Sequence, residues 1–373
     1  MTISPLLADA KSAHHAGDLE RAIAGYRAVL EDGPDAATSN LLAIALDGSG
    51  HTDDAEGVLA RAHEMEPDLA EPAINLARLR LRRGVVEDAL PPLRHAGKTG
   101  STEALILLFE VAYVTGLHGD VLSAGRQLAA AGGLQVQQAE RLGEVSFRTG
   151  AEDTPSILEN ASRRFPDSAR LHLLMAHHLG QQGAHAAAMA AFRRSQCLFP
   201  ADLDAVFNAA RILDLMGENK TASHECGRAL VIAPGWPDAL LLCARIEALH
   251  GSPARARALA TQALAALPSG ANAHATFALA RFAGGEKEAA IAGHRRALLL
   301  DPADAMEWND RGVMLKQVGA VEGADIAYGR ARLISPELLP AIKNHAALLF
   351  DMTDMEAAAI AYDHALRIAP DDA

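Results

Sequence analysis

The side chains able to do chemistry are sixteen histidines, three cysteines and a recurring set of arginines, and their spacing decides what that chemistry is. Cys197, Cys226 and Cys243 are odd in number and form no C-x-x-C pair, which fits neither a disulfide framework nor a zinc site. His177, His178 and His185 lie close together, but the others scatter, and His274, His294 and His345 fall where a helical pattern packs one helix on another. The chain has no G-x-x-x-x-G-K-[ST], no H-E-x-x-H and no G-x-S-x-G. Binding is therefore the expected chemistry, with no catalytic residue, metal or cofactor.

The arginines are more regular. Arg78, Arg211 and Arg245 each stand six residues before a glycine, with Lys11, Tyr113 and His177 in the same place. Ten before the glycine stand Ile74, Phe109, Leu173, Phe207, Leu241 and Asn309, with Lys343 in phase. Nine before it stand Asn75, Asn208 and Asp310, with Asn344 in phase. On a helix these positions share one face. Basic rungs beside apolar ones suit an extended, partly acidic protein or peptide segment.

The elements that must position this face are written in the same period. Gly17, Gly50, Gly84, Gly119, Gly150, Gly183, Gly217, Gly251, Gly285 and Gly319 recur near every 34 residues, regularly so from Gly183 on. Five residues later comes Ala22, Ala55, Ala89, Ala124, Ala188, Ala222, Ala256, Ala290 or Ala324, with Ala358 in phase. Seven residues before each glycine is another small residue, from Ala10 and Ala43 to Gly312. Prolines close the units at Pro34, Pro67, Pro166, Pro200, Pro234, Pro268, Pro302, Pro336 and Pro370. The glycine supplies the positive φ that stops a first helix, and the small residues let paired helices cross closely. Nine after the glycine a large side chain such as Tyr26, Leu59 or Tyr328 fills the adjoining space. The proline ends the second helix.

Small residue, turn glycine, alanine, aromatic and proline at these spacings resemble the tetratricopeptide repeat. The best match runs from Trp308 through Gly312, Gly319, Ala324 and Tyr328 to Pro336. The resemblance implies an all-α solenoid: about eleven helix-turn-helix units in a right-handed superhelix, with first helices on the concave side. It also implies that Asn75, Asn208 and Asn344 hydrogen-bond a peptide backbone, as asparagines do in repeats of O-GlcNAc transferase. Ser101 and Val136 stand where closing prolines are expected, and Thr154 where an alanine is. The expected division is thus residues 1–100, a degenerate segment 101–166, and 167–373.

Composition agrees with helices. Half of the 373 residues are apolar but only 4% aromatic, which suits close helix packing better than β-sandwiches. A net charge of −13 argues against coating nucleic acid. No uncharged apolar run reaches the roughly 20 residues of a membrane span, and charges near the start exclude a signal peptide. The expected protein is a cytoplasmic interaction scaffold whose groove holds Ile74, Asn75, Arg78, Phe109, Tyr113, Phe207, Asn208, Arg211, Leu241, Arg245, Asn309, Lys343 and Asn344. The alternative is the substrate-recognition arm of a larger protein-modifying enzyme, a glycosyltransferase or sulfotransferase. The sequence stops three residues after Pro370 with no polar capping helix, so self-association through that end is expected too.

Overall fold

A computed structural model of the protein describes residues 5–370. All regular structure among them is helical, in 22 helices. The chain divides into two compact units, Met1–Met175 and Ala176–Ala373.

The first unit opens with α1 (Pro5–His15), α2 (Leu19–Glu31), α3 (Ala36–Gly48), α4 (Thr52–Met65) and α5 (Ala70–Arg82). It continues with α6 (Val86–Lys98), α7 (Thr102–Thr115), α8 (His118–Ala130), α9 (Val136–Thr149) and α10 (Thr154–Arg164). The boundary between the units falls inside α11 (Ala169–Gln181). The second unit then holds α12 (His185–Leu198), α13 (Leu203–Leu215), α14 (Asn219–Ile232), α15 (Pro237–His250) and α16 (Pro253–Ala266). Its remaining helices are α17 (Ala271–Ala283), α18 (Lys287–Leu300), α19 (Ala305–Gln317), α20 (Val321–Ile334), α21 (Leu339–Asp351) and α22 (Met355–Ile368). Within each unit odd-numbered helices pack on the next even-numbered one, and several successive odd-numbered helices touch, as α3 does α5 and α15 does α17. None of the described helices is long and apolar enough to cross a membrane.

The turns follow from the glycines. Eight of the expected ones, Gly17, Gly50, Gly84, Gly150, Gly183, Gly217, Gly285 and Gly319, have φ between 65° and 88°. Each lets a first helix end with its last carbonyls satisfied: past Gly84, for example, the Val85 N–H donates to Arg80 O at 2.9 Å. Thr353 takes the same conformation without being glycine, at φ 65°. The prolines act as expected. The residue before each one from Pro67 and Pro166 through Pro370 leaves its helix at φ −137° to −123° and ψ 66° to 93°, outside the helical region that a following proline disfavours.

Two glycines do something else. The fourth hairpin turns at Gly116, φ 74°, and not at Gly119, which lies inside α8. Gly251 has φ −125°, so it is no left-handed turn. The missing prolines are also replaced: Gly100 (φ 93°) and Gly132 (φ 69°) end the second helices α6 and α8.

The small columns are fully buried, with Ala22, Ala55, Ala222 and Ala324 at 0% exposure. Gly312 faces Tyr328 so closely that a Cβ on it would lie 2.5 Å from Tyr328 Cε1. In the fourth hairpin the large and small partners trade places. Counted from Gly116, Phe109 stands in the small position and Gly125 in the large one, and a Cβ on Gly125 would lie 3.1 Å from Phe109 Cε2. Phe109 belongs to a core cluster that runs without a break from Ala73 to Leu171.

Candidate functional site

The sequence places the binding residues on the odd-numbered helices, and burial sorts them. Ile74 (3% exposed), Phe109 (0%) and Asn309 (4%) are interior, so they are not surface a partner can touch. Ile74 and Phe109 belong to the same core cluster. Their misplacement has a physical reason: Ile74 and Phe109 pack into that cluster, Asn309 accepts from Asn344 of α21, and Phe109 is counted from Gly119 rather than the true turn. Tyr113 is likewise three residues, not six, before its true turn at Gly116.

The first unit closes its charges on themselves. On α5 the exposed Arg78 donates to Glu103 Oε1 at 2.6 Å, and Arg82 pairs with Asp47. Half-buried Tyr113 on α7 lies under the Arg141 guanidinium, 4.7 Å away, and Arg141 pairs with Glu110. Between α3 and α5 a cleft of about 470 Å³ is lined by Ala43, Asp47, Asn75 and Arg78. Beside it the Asn75 amide donates to Asn40 Oδ1 at 2.9 Å. The same bond recurs in the second unit, where Asn344 donates to Asn309 Oδ1 at 2.9 Å. Asn40 was not among the expected site residues. Only the shared offset of 35 residues in the two pairs marks it.

The second unit is more open. Arg211 on α13 and Arg245 on α15 are exposed, and neither carries a carboxylate ion pair among the described residues. Arg211 Nη1 donates to Asn208 Oδ1 at 2.9 Å. Half-buried Phe207 packs against Trp236 with ring centroids 4.5 Å apart, and Leu241 is half-buried beside Arg245 in a second cleft. Lys343 and Asn344 are half-buried on α21.

That second cleft gathers groups the sequence did not connect. Arg245, His294, Glu307 and Asp310 all line it. Burial, and next the neighbouring Glu307 carboxylate, push Asp310 up to about 6, while Arg245, Asn309 and His294 oppose the rise. Tyr328 is pushed up to about 12 by burial and by the charge of Asp310. Elsewhere, Glu247 is a buried carboxylate that accepts from Ser223 Oγ at 2.6 Å and from the Ser252 N–H at 3.0 Å. Arg255 Nη1 pairs with it at 3.1 Å. Cys226 and Cys243 are buried; their mutual hydrogen bond, then burial, raises the Cys226 thiol. Among the described residues no group of three His, Cys, Asp or Glu side chains is placed to hold a metal.

No family model matches the chain, and no curated protein matches it. Solved structures do. A tetratricopeptide repeat protein from Parabacteroides merdae aligns with TM-score 0.57 and 14% identity over 64% of this chain and 94% of that one. A chain of the structure of Naa15/Naa10 bound to HypK-THB aligns with TM-score 0.53 and 14% identity, covering 98% of this chain and 63% of that one. Yeast Tom70 aligns with TM-score 0.47 and 13% identity over 98% of this chain and 91% of that one. Likeness at such identities is likeness of fold, and the fold is that of a tetratricopeptide repeat protein.

Proposed function

We propose that this chain is an interaction scaffold that captures an extended, partly acidic segment of another protein along the odd-numbered helices of its second unit. The observation that carries the reading is the pair Arg211 and Arg245. They occupy the same register on α13 and α15, helices that touch, and both are exposed beside half-buried Phe207 and Leu241. Exposed guanidinium groups attract carboxylates at long range, Arg211 foremost since Arg245 also faces Asp310, and the flanking apolar side chains supply area for the partner's own. In the first unit the equivalent Arg78 is already engaged by Glu103.

A cytoplasmic location belongs to the same proposal, as does the division at residues 100 and 166. The alternative, a recognition arm of a protein-modifying enzyme, rests on the sequence resemblance alone. The test is site-directed photocrosslinking in cells from position 208 or 241, with Arg211 and Arg245 intact or both changed to Glu. Adducts are expected in the first case and loss of most of them in the second. Arg330→Glu on α20, an exposed charge on a second helix, is expected to leave them unchanged. Equal loss from both variants would place binding elsewhere.

A further inference from the structure

The cleft between α15, α17 and α19 measures about 220 Å³. Sites for whole small molecules run from roughly 300 to 1,000 Å³, so this one has the size for a single long side chain. Leu241, Leu279 and Met314 form apolar wall, and the polar lining is Arg245, Asn272, Thr276, His294, Glu307 and Asp310.

Those polar groups are unbalanced. His294, on α18 and 1% exposed, has Nε2 3.0 Å from Glu307 Oε2. A carboxylate oxygen accepts, so Nε2 donates and Nδ1 is the ring nitrogen left over. That Nδ1 is buried and has no hydrogen-bond partner. Asp310 on α19 accepts from Asn309 Nδ2 at 3.2 Å. The ionisable groups facing it are Arg245 from α15, His294 from α18, Glu307 from its own helix and Tyr328 from α20. Two carboxyl groups, Glu307 and Asp310, stand against one guanidinium, Arg245, so the cleft has more acidic than basic groups. Its own protonation relieves that surplus only in mildly acidic solution.

We propose that this cleft receives the ammonium or guanidinium end of one lysine or arginine of the captured segment, its aliphatic stem lying on Leu241, Leu279 and Met314. A side chain that only donates meets the carboxylates of Glu307 and Asp310, which only accept when ionised. The inference rests on the capture reading and gives it polarity: the segment carries a basic residue here and acidic ones toward Arg211.

The test uses the purified chain and three capped tripeptides, acetyl-Ala-Lys-Ala-amide and its norleucine and glutamate counterparts. Carboxyl carbon resonances, assigned with Asp310→Asn, follow the titration of Asp310. The lysine peptide is expected to lower the Asp310 midpoint by about one unit and to bind about tenfold more tightly than the norleucine peptide at pH 7.5. That preference is expected to vanish in Asp310→Asn and to grow in Arg245→Gln, a gain that a merely misfolded variant does not give. Equal binding of lysine and norleucine peptides overturns the proposal, as does preference for the glutamate peptide, which would assign the cleft to Arg245. Binding of no peptide at millimolar concentration while the crosslinks persist overturns the cleft alone. Loss of the crosslinks with lysine binding intact overturns the capture reading instead.

Discussion

Gly251 leaves open the space that the carboxylate of Glu247 occupies: a Cβ on Gly251 would lie 2.2 Å from Glu247 Oε2. The position falls in the repeat's glycine column, yet its φ of −125° is not the left-handed one of the other turns. What needs the room is a buried acid that bonds Ser223, the Ser252 N–H and Arg255. Gly251→Ala is therefore expected to cost about 1–3 kcal/mol by overpacking. Gly217→Ala, with open space around it and φ 73°, should cost about 1 kcal/mol of backbone strain. Urea denaturation distinguishes them, because Glu247→Gln should couple to the first substitution and not to the second.

Thr353 gives the converse case. It holds φ 65°, the only positive φ outside glycine among the described residues, and a β-branched side chain is a poor occupant of that region. Thr353→Gly is expected to stabilise the α21–α22 hairpin by about 1 kcal/mol. Hydrogen exchange in α22 should slow accordingly, by about fivefold. Faster exchange in the variant would show that Thr353 is held by contacts rather than strained.

Asp310 makes stability depend on pH with an unusual sign. Its folded carboxyl titrates near 6, above the roughly 3.9 of an unfolded aspartate. Between those values the native chain keeps a proton that the unfolded chain has released. The stabilising contribution is thus complete below about pH 4 and is lost as the pH rises through about 6. Asp310→Asn should flatten this part of the pH–stability curve and gain about 1–2 kcal/mol at pH 8, the group being only half-buried. A parallel curve for the variant would refute the assignment.

The sequence reached as far as contacts within one repeat carry information. The Ala222 and Ala324 columns, the positive-φ glycines and the proline stops are local consequences of backbone sterics, and they are readable from residue type. Gly119 was misread for Gly116 because two glycines three apart both fit the period, and only helix packing around Phe109 selects one. Burial of Ile74 and the bonds Asn40–Asn75 and Asn309–Asn344 depend on how one hairpin sits on the next. The desolvation of Asp310 requires α15, α17, α18 and α19 together, so no single repeat contains its signal. Arg255 shows the limit from the other side: it reads as a free surface charge but neutralises buried Glu247.

Ile360, Leu366 and Ile368 on α22 are 62%, 43% and 37% exposed. Apolar side chains grouped on one helix favour association. Light scattering of this chain is expected to show concentration-dependent self-association, reduced by Ile360→Glu with Leu366→Glu and with helicity unchanged. A monomer at every concentration would remove this surface from consideration.

The reversed pair Phe109 and Gly125 bears on how such a chain can change over time. Most hairpins here are built to one template, small residue on the first helix and large on the second, so a duplicated unit can slot in beside its parent. The α7–α8 hairpin cannot be rewritten toward that template one residue at a time. A large side chain at position 125 meets Phe109 and also Leu142, whose Cδ1 lies 2.6 Å from where its Cβ would be. Shrinking Phe109 first leaves an empty space in the core. Each single step is less stable than the present sequence, and the clash with Leu142 outlasts both, so the hairpin is isolated from its neighbours and behaves as a fixed landmark in an otherwise exchangeable array.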